Sequence, residues 1–100
     1  MGVIAKYRKE PTDSKRYQID YTNWLDTGEQ VSSVVFAVSP VTSSPLVISS
    51  IQNLPTGLGV QYYASGGLNG TDYTVTATLT TNAVPPQVRS DEIIFSVRTP

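Results

Sequence analysis

The chain has 100 residues, the length of one domain, and its formal net charge at pH 7 is -1. It contains no cysteine and no histidine. These absences exclude a disulfide framework, a thiolate metal site and catalysis by a histidine base. No apolar run approaches the length of a membrane span, so we expect no contact with a membrane.

The charges are unevenly distributed along the chain. Residues 1–16 carry a net charge of +3, and the remaining residues carry -4. Between Thr27 and Val88 the only charged residues are Glu29 and Asp72. Ser, Thr, Asn and Gln must therefore supply most of the polar surface. Because such a surface is easier to desolvate than a charged one, the composition suits contact with other subunits, and equally an ordinary low-charge β protein.

Residues 1–14 are interpreted as an extended N-terminal arm. The arm begins with a short apolar patch, and Pro11 prevents a helix from continuing through it. Tyr7 is the residue best suited to anchor the arm on another surface. Nucleic acid is not an expected partner, because the basic residues form no dense block.

The rest of the chain reads as a series of short β-strands separated by turn signals. In most of these segments apolar and polar residues alternate, which is the pattern of a strand with one buried face. Strands of this length and spacing are typical of an all-β sandwich or barrel. The predicted strands are Lys15–Leu25, Val31–Val38, Leu46–Leu54, Gly59–Ala64, 72–81 and Arg89–Arg98.

Two of these segments carry further expectations. Val31–Val38 is apolar at nearly every position, which predicts a central strand covered on both faces. Trp24 and Leu25, at the end of the first segment, are expected to form a large part of the core. Trp24 could instead be an exposed anchor for a partner.

The segment 72–81 is the clearest strand and decides the fold prediction. It follows glycine turns and opens with Tyr73, which is typical of the tyrosine corner of immunoglobulin-like sandwiches. Any half-buried strand with an aromatic residue at its start would give the same local pattern. We predict a single immunoglobulin-like β-sandwich over residues 15–100, with the extended arm over residues 1–14.

No set of residues suggests catalysis or metal binding. Asp91 and Glu92 are adjacent on a strand, so their side chains point to opposite faces and cannot share a proton. Asp26 and Glu29 flank a turn, but two carboxylates are too few for Ca²⁺. We therefore predict no enzyme activity, no catalytic residues, no metal and no cofactor.

Tyr62 and Tyr63 are neighbours on a predicted strand, so their rings point to opposite faces. One of the two rings is therefore expected at the surface, and we take Tyr63 as a candidate partner-binding residue. An exposed tyrosine among serines and threonines also suits carbohydrate, which leaves a carbohydrate-binding module as an alternative.

Several stretches of the chain follow one another in an order and spacing that is informative when they are taken together. They are Lys9-Glu10-Pro11, Tyr17-x-Ile19-Asp20-Tyr21-x-x-Trp24-Leu25, Gly28-Glu29-Gln30-Val31-Ser32-Ser33, Gly66-Gly67-x-x-Gly70-x-x-Tyr73-x-Val75-x-Ala77, Thr80-Thr81 and Arg89-Ser90-Asp91-Glu92 with Ile93, Phe95 and Val97. Together these stretches resemble the small immunoglobulin-like virion proteins of tailed bacteriophages, of the fibre–tail adaptor or neck-associated type. The turn before Arg89 departs from the family, which tends to have a short glycine turn there, and this leaves the length of the last hairpin open.

The resemblance implies a non-enzymatic structural protein of the virion, present in several copies in a symmetric assembly. We expect an adaptor at the tail or neck that links fibres or neighbouring virion proteins through its domain and its arm. In the arm, Tyr7 would supply apolar contact, and Arg8 and Lys9 would meet acidic groups of the partner. The alternatives are a capsid decoration (cement) protein that bridges capsomers and a carbohydrate-binding module.

Overall fold

The computed structural model describes residues 2–99, and every element of regular secondary structure among them is a β-strand. Each segment predicted as a strand contains one, so the all-β prediction is confirmed. None of the described residues belongs to a helix that is long and apolar enough to cross a membrane. The strands are β1 (Gly2–Lys9), β2 (Ser14–Asp20), β3 (Val31–Ser39), β4 (Leu46–Asn53), β5 (Gly59–Gly66), β6 (Thr71–Thr81) and β7 (Val88–Val97).

The strands form two sheets that pack face to face as a sandwich. The four-stranded sheet has the order β1-β7-β6-β3, and the three-stranded sheet has the order β2-β5-β4. β1 runs parallel to β7, whereas the other neighbouring strands are antiparallel. This arrangement leaves β1 and β3 at the edges of one sheet and β2 and β4 at the edges of the other.

The core lies between the sheets and follows the period of two that the sequence predicts. Along β6, the side chains of Tyr73, Val75, Ala77 and Leu79 are completely buried, and the intervening threonines are half-buried. Aromatic rings join the two sheets, because Tyr17 of β2 lies 5.1 Å from Phe95 of β7 between ring centroids.

The phenol of Tyr73 holds two loops against the core. Its oxygen accepts a hydrogen bond from the backbone N–H of Leu68 (2.8 Å) and donates one to the carbonyl oxygen of Ser44 (3.2 Å). Gly67 makes the close turn possible, because its φ is 105° and a Cβ there would lie 2.8 Å from a Val97 methyl group. The bond to a backbone group upstream of Tyr73 is the one that the tyrosine-corner prediction requires.

The N-terminal segment differs from the prediction of an extended arm over residues 1–14. Residues 2–9 form β1, an edge strand that is paired with β7 along its length. The residues of this segment alternate between inward-facing and outward-facing positions, and the scattered basic residues obscure this alternation in the sequence. Met1 and Pro100, the outer ends of the two predicted regions, lie outside the described residues. The inward-facing residues of β1 are Ala5, Tyr7 and Lys9, and the outward-facing residues are Lys6 and Arg8.

The prediction of a central position for β3 was wrong. β3 is an edge strand, and the side chain of Val35 on its outer face is 66% exposed. The apolar run therefore reflects the strand propensity of valine rather than burial on two sides. Trp24 lies in the turn after β2 and is only half-buried, although it packs against the core.

Lys9 connects the two sheets at one end of the sandwich. Its side chain is buried, and Nζ donates hydrogen bonds to the carbonyl oxygens of Glu10 (2.7 Å) and Gly66 (2.6 Å). Gly66 ends β5 in the three-stranded sheet, so the lysine joins β1 to the opposite sheet. Burial lowers the pKa of Lys9, and attraction to Asp13 partly offsets this effect.

We expect Tyr73→Phe to reduce the free energy of unfolding by about 1–3 kcal/mol, because it leaves the N–H of Leu68 without its acceptor in a partly buried site. Tyr63→Phe is the matched control, since it removes the same hydroxyl from a half-exposed ring and should change stability by less than about 0.5 kcal/mol. Urea denaturation followed by circular dichroism measures both. Equal losses in the two variants would show that the Tyr73 hydroxyl has no special role.

We expect Lys9→Met to lower the free energy of unfolding by about 1.5–3 kcal/mol, because two carbonyl oxygens lose a charged donor. Lys6→Met, on the exposed side of the same strand, should have an effect below about 0.5 kcal/mol. The same denaturation experiment compares them. A Lys9→Met variant as stable as Lys6→Met would contradict a structural role for the buried ammonium.

Candidate functional site

Two of the predicted partner-binding residues of the N-terminal segment face the core. The Tyr7 ring lies 4.6 Å from that of Tyr17 and 5.4 Å from that of Phe95, between centroids. Lys9 is buried, and its ammonium group is hydrogen-bonded to two carbonyl oxygens, as described above. In this structure both residues attach β1 to the sandwich.

The other two predicted residues are at the surface, on opposite sides of the molecule. Arg8 points outward from the four-stranded sheet, where Nη2 donates to the carbonyl oxygen of Thr99 (3.4 Å). Tyr63 is half-exposed on the outer face of the three-stranded sheet, whereas Tyr62 is buried. The structure therefore separates Arg8 from Tyr63 by the whole core, which gives two surfaces instead of one site.

The outer face of the four-stranded sheet is called the threonine face. Four threonines of β6 run along its centre, flanked by serine, valine and alanine of β3 and by serine and isoleucine of β7. Two neighbouring hydroxyls, those of Thr78 and Ser90, bond to each other across the ladder (3.0 Å). The face combines methyl groups with hydroxyl groups. Its members are Ser33, Val35, Ala37, Thr74, Thr76, Thr78, Thr80, Ser90, Glu92, Ile94 and Ser96.

The outer face of the three-stranded sheet is called the tyrosine face. Tyr63 lies at its centre, with Arg16 of β2 on one side and Ser49 of β4 on the other. Next to them the amide of Gln18 donates to that of Gln61 (3.4 Å). Tyr63 thus offers an apolar ring with a polar tip in a mostly neutral surrounding. The members of this face are Arg16, Gln18, Val47, Ser49, Gln52, Gln61 and Tyr63.

Several acidic side chains are engaged in structural bonds. The Gln87 amide donates to Asp26 Oδ2 (2.9 Å) and to Glu29 Oε2 (3.4 Å), so it bridges the two carboxylates of that turn. Asp91 is buried and accepts a hydrogen bond from Arg89 Nε at 2.7 Å. Among residues 2–99, no group of three or more acidic side chains is placed to hold a metal ion.

A cavity of about 400 Å³ lies between the edge strands β1 and β2, and we call it the β1–β2 groove. Its walls include Ile4, Ala5 and Tyr7 of β1 and four consecutive residues, 18–21, at the end of β2. Trp24 and the Arg89–Asp91 pair close one end. The sequence analysis missed this groove because it did not recognise β1 as a strand. The alternation of Ala5, Tyr7 and Lys9 was the available signal.

A β-sandwich with low-charge faces on both sides is typical of a protein that binds other proteins. A family model described as podophage GP4 fiber-tail adaptor protein gp77 matches residues 9–96. The chain therefore belongs to this family of phage fibre–tail adaptors, and it is a component of the virion. The resemblance stated from the sequence is thus confirmed. A search of curated proteins gave no match.

Asp20, at the rim of the groove, provides a test of the local geometry. Its Oδ1 accepts hydrogen bonds from the hydroxyl and from the backbone N–H (2.9 Å) of Thr22, and these bonds lower the pKa of Asp20 in that order of importance. We expect Thr22→Val to raise this pKa toward its ordinary value, as measured by an NMR titration of the carboxyl carbon. Thr27→Val, in the next turn, is the control.

The sign of the effect on stability follows from the lowered pKa. A depressed carboxyl pKa contributes stability above the ordinary value of 3.8, and this contribution is lost as the pH falls through the lowered pKa. Thr22→Val should therefore be less stable than the wild type above pH 3.8, and this difference should shrink as the pH falls through the lowered pKa of Asp20 in the wild type. An unchanged Asp20 titration in Thr22→Val would contradict the role of the hydroxyl.

Proposed function

We propose that this protein is a non-enzymatic adaptor that joins tail fibres to the tail by binding different virion proteins with its two outer faces. The observation that carries this proposal is the placement of two mostly neutral faces on opposite sides of one rigid core. An adaptor must hold two partners at once, and faces separated by a core do not compete. Membership of the fibre–tail adaptor family supports the same role.

The threonine face has the size and chemistry for the larger contact. Four strands at a spacing of about 4.8 Å and a length of about 30 Å cover roughly 600 Å². This approaches the roughly 800 Å² that each partner contributes to a standard interface. The outward-facing charged residues of this sheet are Glu92, Asp72, and Lys6 and Arg8 of β1. The low-charge part of the face therefore lies around Thr78 and Thr80 and their neighbours on β3, where a partner has little charge to desolvate. Arg8 lies at the edge of the same sheet and can meet an acidic group at the rim.

The tyrosine face is smaller and has a different basis for affinity. Tyr63 faces Arg16 across the β5–β2 ladder, and tyrosine and arginine are the residue types that often dominate binding energy in interfaces. Tyr63 is half-exposed, so a partner can still bury much of its ring. This face is therefore suited to a compact contact centred on one aromatic anchor.

We also propose that the sandwich is of the immunoglobulin type and assembles in several symmetric copies. The immunoglobulin assignment is supported by the strand order, in which β7, β6 and β3 oppose β2, β5 and β4, with β1 beside the last strand. The hydrogen bond of Tyr73 to Leu68 supports it independently. Neither feature bears on copy number, which the following experiment measures.

The test places one lysine on each face. Thr76→Lys lies at the centre of the threonine face, and Tyr63→Lys at the centre of the tyrosine face. Val84→Lys is the control, because Val84 is 97% exposed and belongs to neither face. All three variants should fold. We expect the control to assemble normally and the face variants to lose attachment by about tenfold or more, because a buried unpaired charge costs several kcal/mol.

Quantitative mass spectrometry of purified particles reads out both partners. A variant that stays on the tail while the fibre is lost identifies the face that binds the fibre, and loss of the adaptor itself identifies the face that binds the tail. Normal attachment of both face variants would contradict the proposal. A copy number similar to that of the major capsid protein would also contradict it and indicate capsid decoration.

A further inference from the structure

We propose that the β1–β2 groove binds an extended segment of a partner virion protein, which adds to the open edge of β2 as an additional strand. The inference rests on the proposed adaptor function and specifies how one of its protein partners is held. Neither outer face is required for it, so the groove would be an additional contact with its own chemistry.

The backbone of β2 presents unpaired hydrogen-bonding groups to the groove. Within residues 2–99, β2 pairs with β5 alone. The N–H of Tyr21 donates to the carbonyl oxygen of Leu58 (2.8 Å), which continues the β2–β5 register by one position. Since alternate residues of an antiparallel ladder turn their N–H and C=O groups to the same side, those of Gln18 and Asp20 point away from β5.

The lining of the groove agrees with this orientation. Consecutive residues of a strand point to opposite faces, so four consecutive residues can line one cavity only if their backbone edge forms its wall. The opposite wall consists of the side chains of Ile4, Ala5 and Tyr7. Four residues of extended chain are about 13 Å long. A volume of about 400 Å³ along that length is within the range of specific binding sites.

Tyr21 supplies an independent sign of a missing partner. Its side chain is 3% exposed, and its hydroxyl has no hydrogen-bond partner among the described residues. Buried hydroxyl groups in proteins are normally hydrogen-bonded to protein atoms or ordered water, so this hydroxyl can pair with a polar atom placed beside it. Burial, together with the negative charge of Asp91, raises the pKa of Tyr21 to about 12, and the hydroxyl therefore keeps its proton at neutral pH. An inward-facing serine, asparagine or similar side chain of an added strand would complete it.

The surroundings of the groove favour a peptide over a sugar. A backbone edge is matched by another backbone, residue by residue. One face of the Trp24 ring is already covered by the Arg89 guanidinium, whose Cζ lies 5.5 Å from the ring centroid, so that face is not available for stacking on a sugar. The charges of β2 also indicate which residues the partner segment carries. Lys15 and Arg16 at the start of β2 suit an acidic residue of that segment, and Asp20 at the end of β2 suits a neutral or basic one.

The edge of β4 is less suited to the same mode of binding. Its ladder is irregular between Ser49 and Gln52, and Ser50 has a φ of 51°. Irregularities of this kind blunt an edge against further pairing. β2, in contrast, pairs regularly with β5 along its whole length.

The test changes Gln18 in the full chain. Gln18→Pro removes the N–H that faces the groove, and an edge strand tolerates proline where that N–H makes no bond within the sheet. Gln18→Ala is the matched control, because it loses the same side chain and keeps the N–H. We expect both variants to fold, and Gln18→Pro to be retained in purified particles at least tenfold less than Gln18→Ala. Equal retention of the two folded variants overturns the proposal.

A second measurement uses the wild-type chain and does not depend on a variant that folds. Hydrogen exchange followed by mass spectrometry compares the free protein with the protein in purified particles. We expect the segment containing the amides of Gln18 and Asp20 to exchange at least tenfold more slowly in particles. Unchanged exchange there overturns the proposal.

Two further outcomes separate this inference from the adaptor role. If Thr76→Lys and Tyr63→Lys lose attachment while Gln18→Pro does not, the adaptor role stands and the groove proposal is wrong. If titration of the free chain with N-acetylglucosamine shifts the NMR signals of Gln18 and Tyr21 while particles show no protection of β2, the groove binds glycan and strand addition is likewise overturned.

Discussion

The hydrogen bonds of the Tyr73 phenol are the constraint on which the arrangement of the two sheets depends. The ring is completely buried at the start of β6, so its hydroxyl must find partners inside the protein. It finds them in the loop before β6 and in the loop between β3 and β4. These bonds fix where β6 begins relative to strands of both sheets. The alternation along β6 then places every second residue in the core.

The same alternation produces the surface that the adaptor role needs. Once Tyr73, Val75, Ala77 and Leu79 fill the core, the four threonines between them can only face outward. Threonine is stable in a strand because it is β-branched, so the central strand keeps its propensity without adding charge to its outer face. The packing of β6 and the low charge of the outer side of this strand are therefore consequences of one pattern.

The sequence predicts well what a local pattern determines. The segment 72–81 and the opposite orientations of Tyr62 and Tyr63 both follow from a period of two. It predicts poorly what depends on a distant partner. Whether β3 is central or at an edge depends on which strands pair with it. The residues of β3 itself do not indicate its position in the sheet. The inward orientation of Tyr7 and Lys9 also depends on a distant partner, because it follows from the pairing of β1 with β7.

The sequence analysis missed the groove for a related reason, because the groove depends on which strand β1 pairs with. β1 could have lain beside β2, which is close to it in the chain, but it pairs with β7 in the other sheet. The Lys9 ammonium stabilises this choice by bonding to the end of β5. Because β1 pairs with β7, no strand within residues 2–99 lies beside the outer edge of β2, and the Tyr21 hydroxyl next to that edge has no hydrogen-bond partner among these residues. The strand that the sequence analysis took for an arm therefore creates a binding site by its position, although it does not reach out to a partner itself.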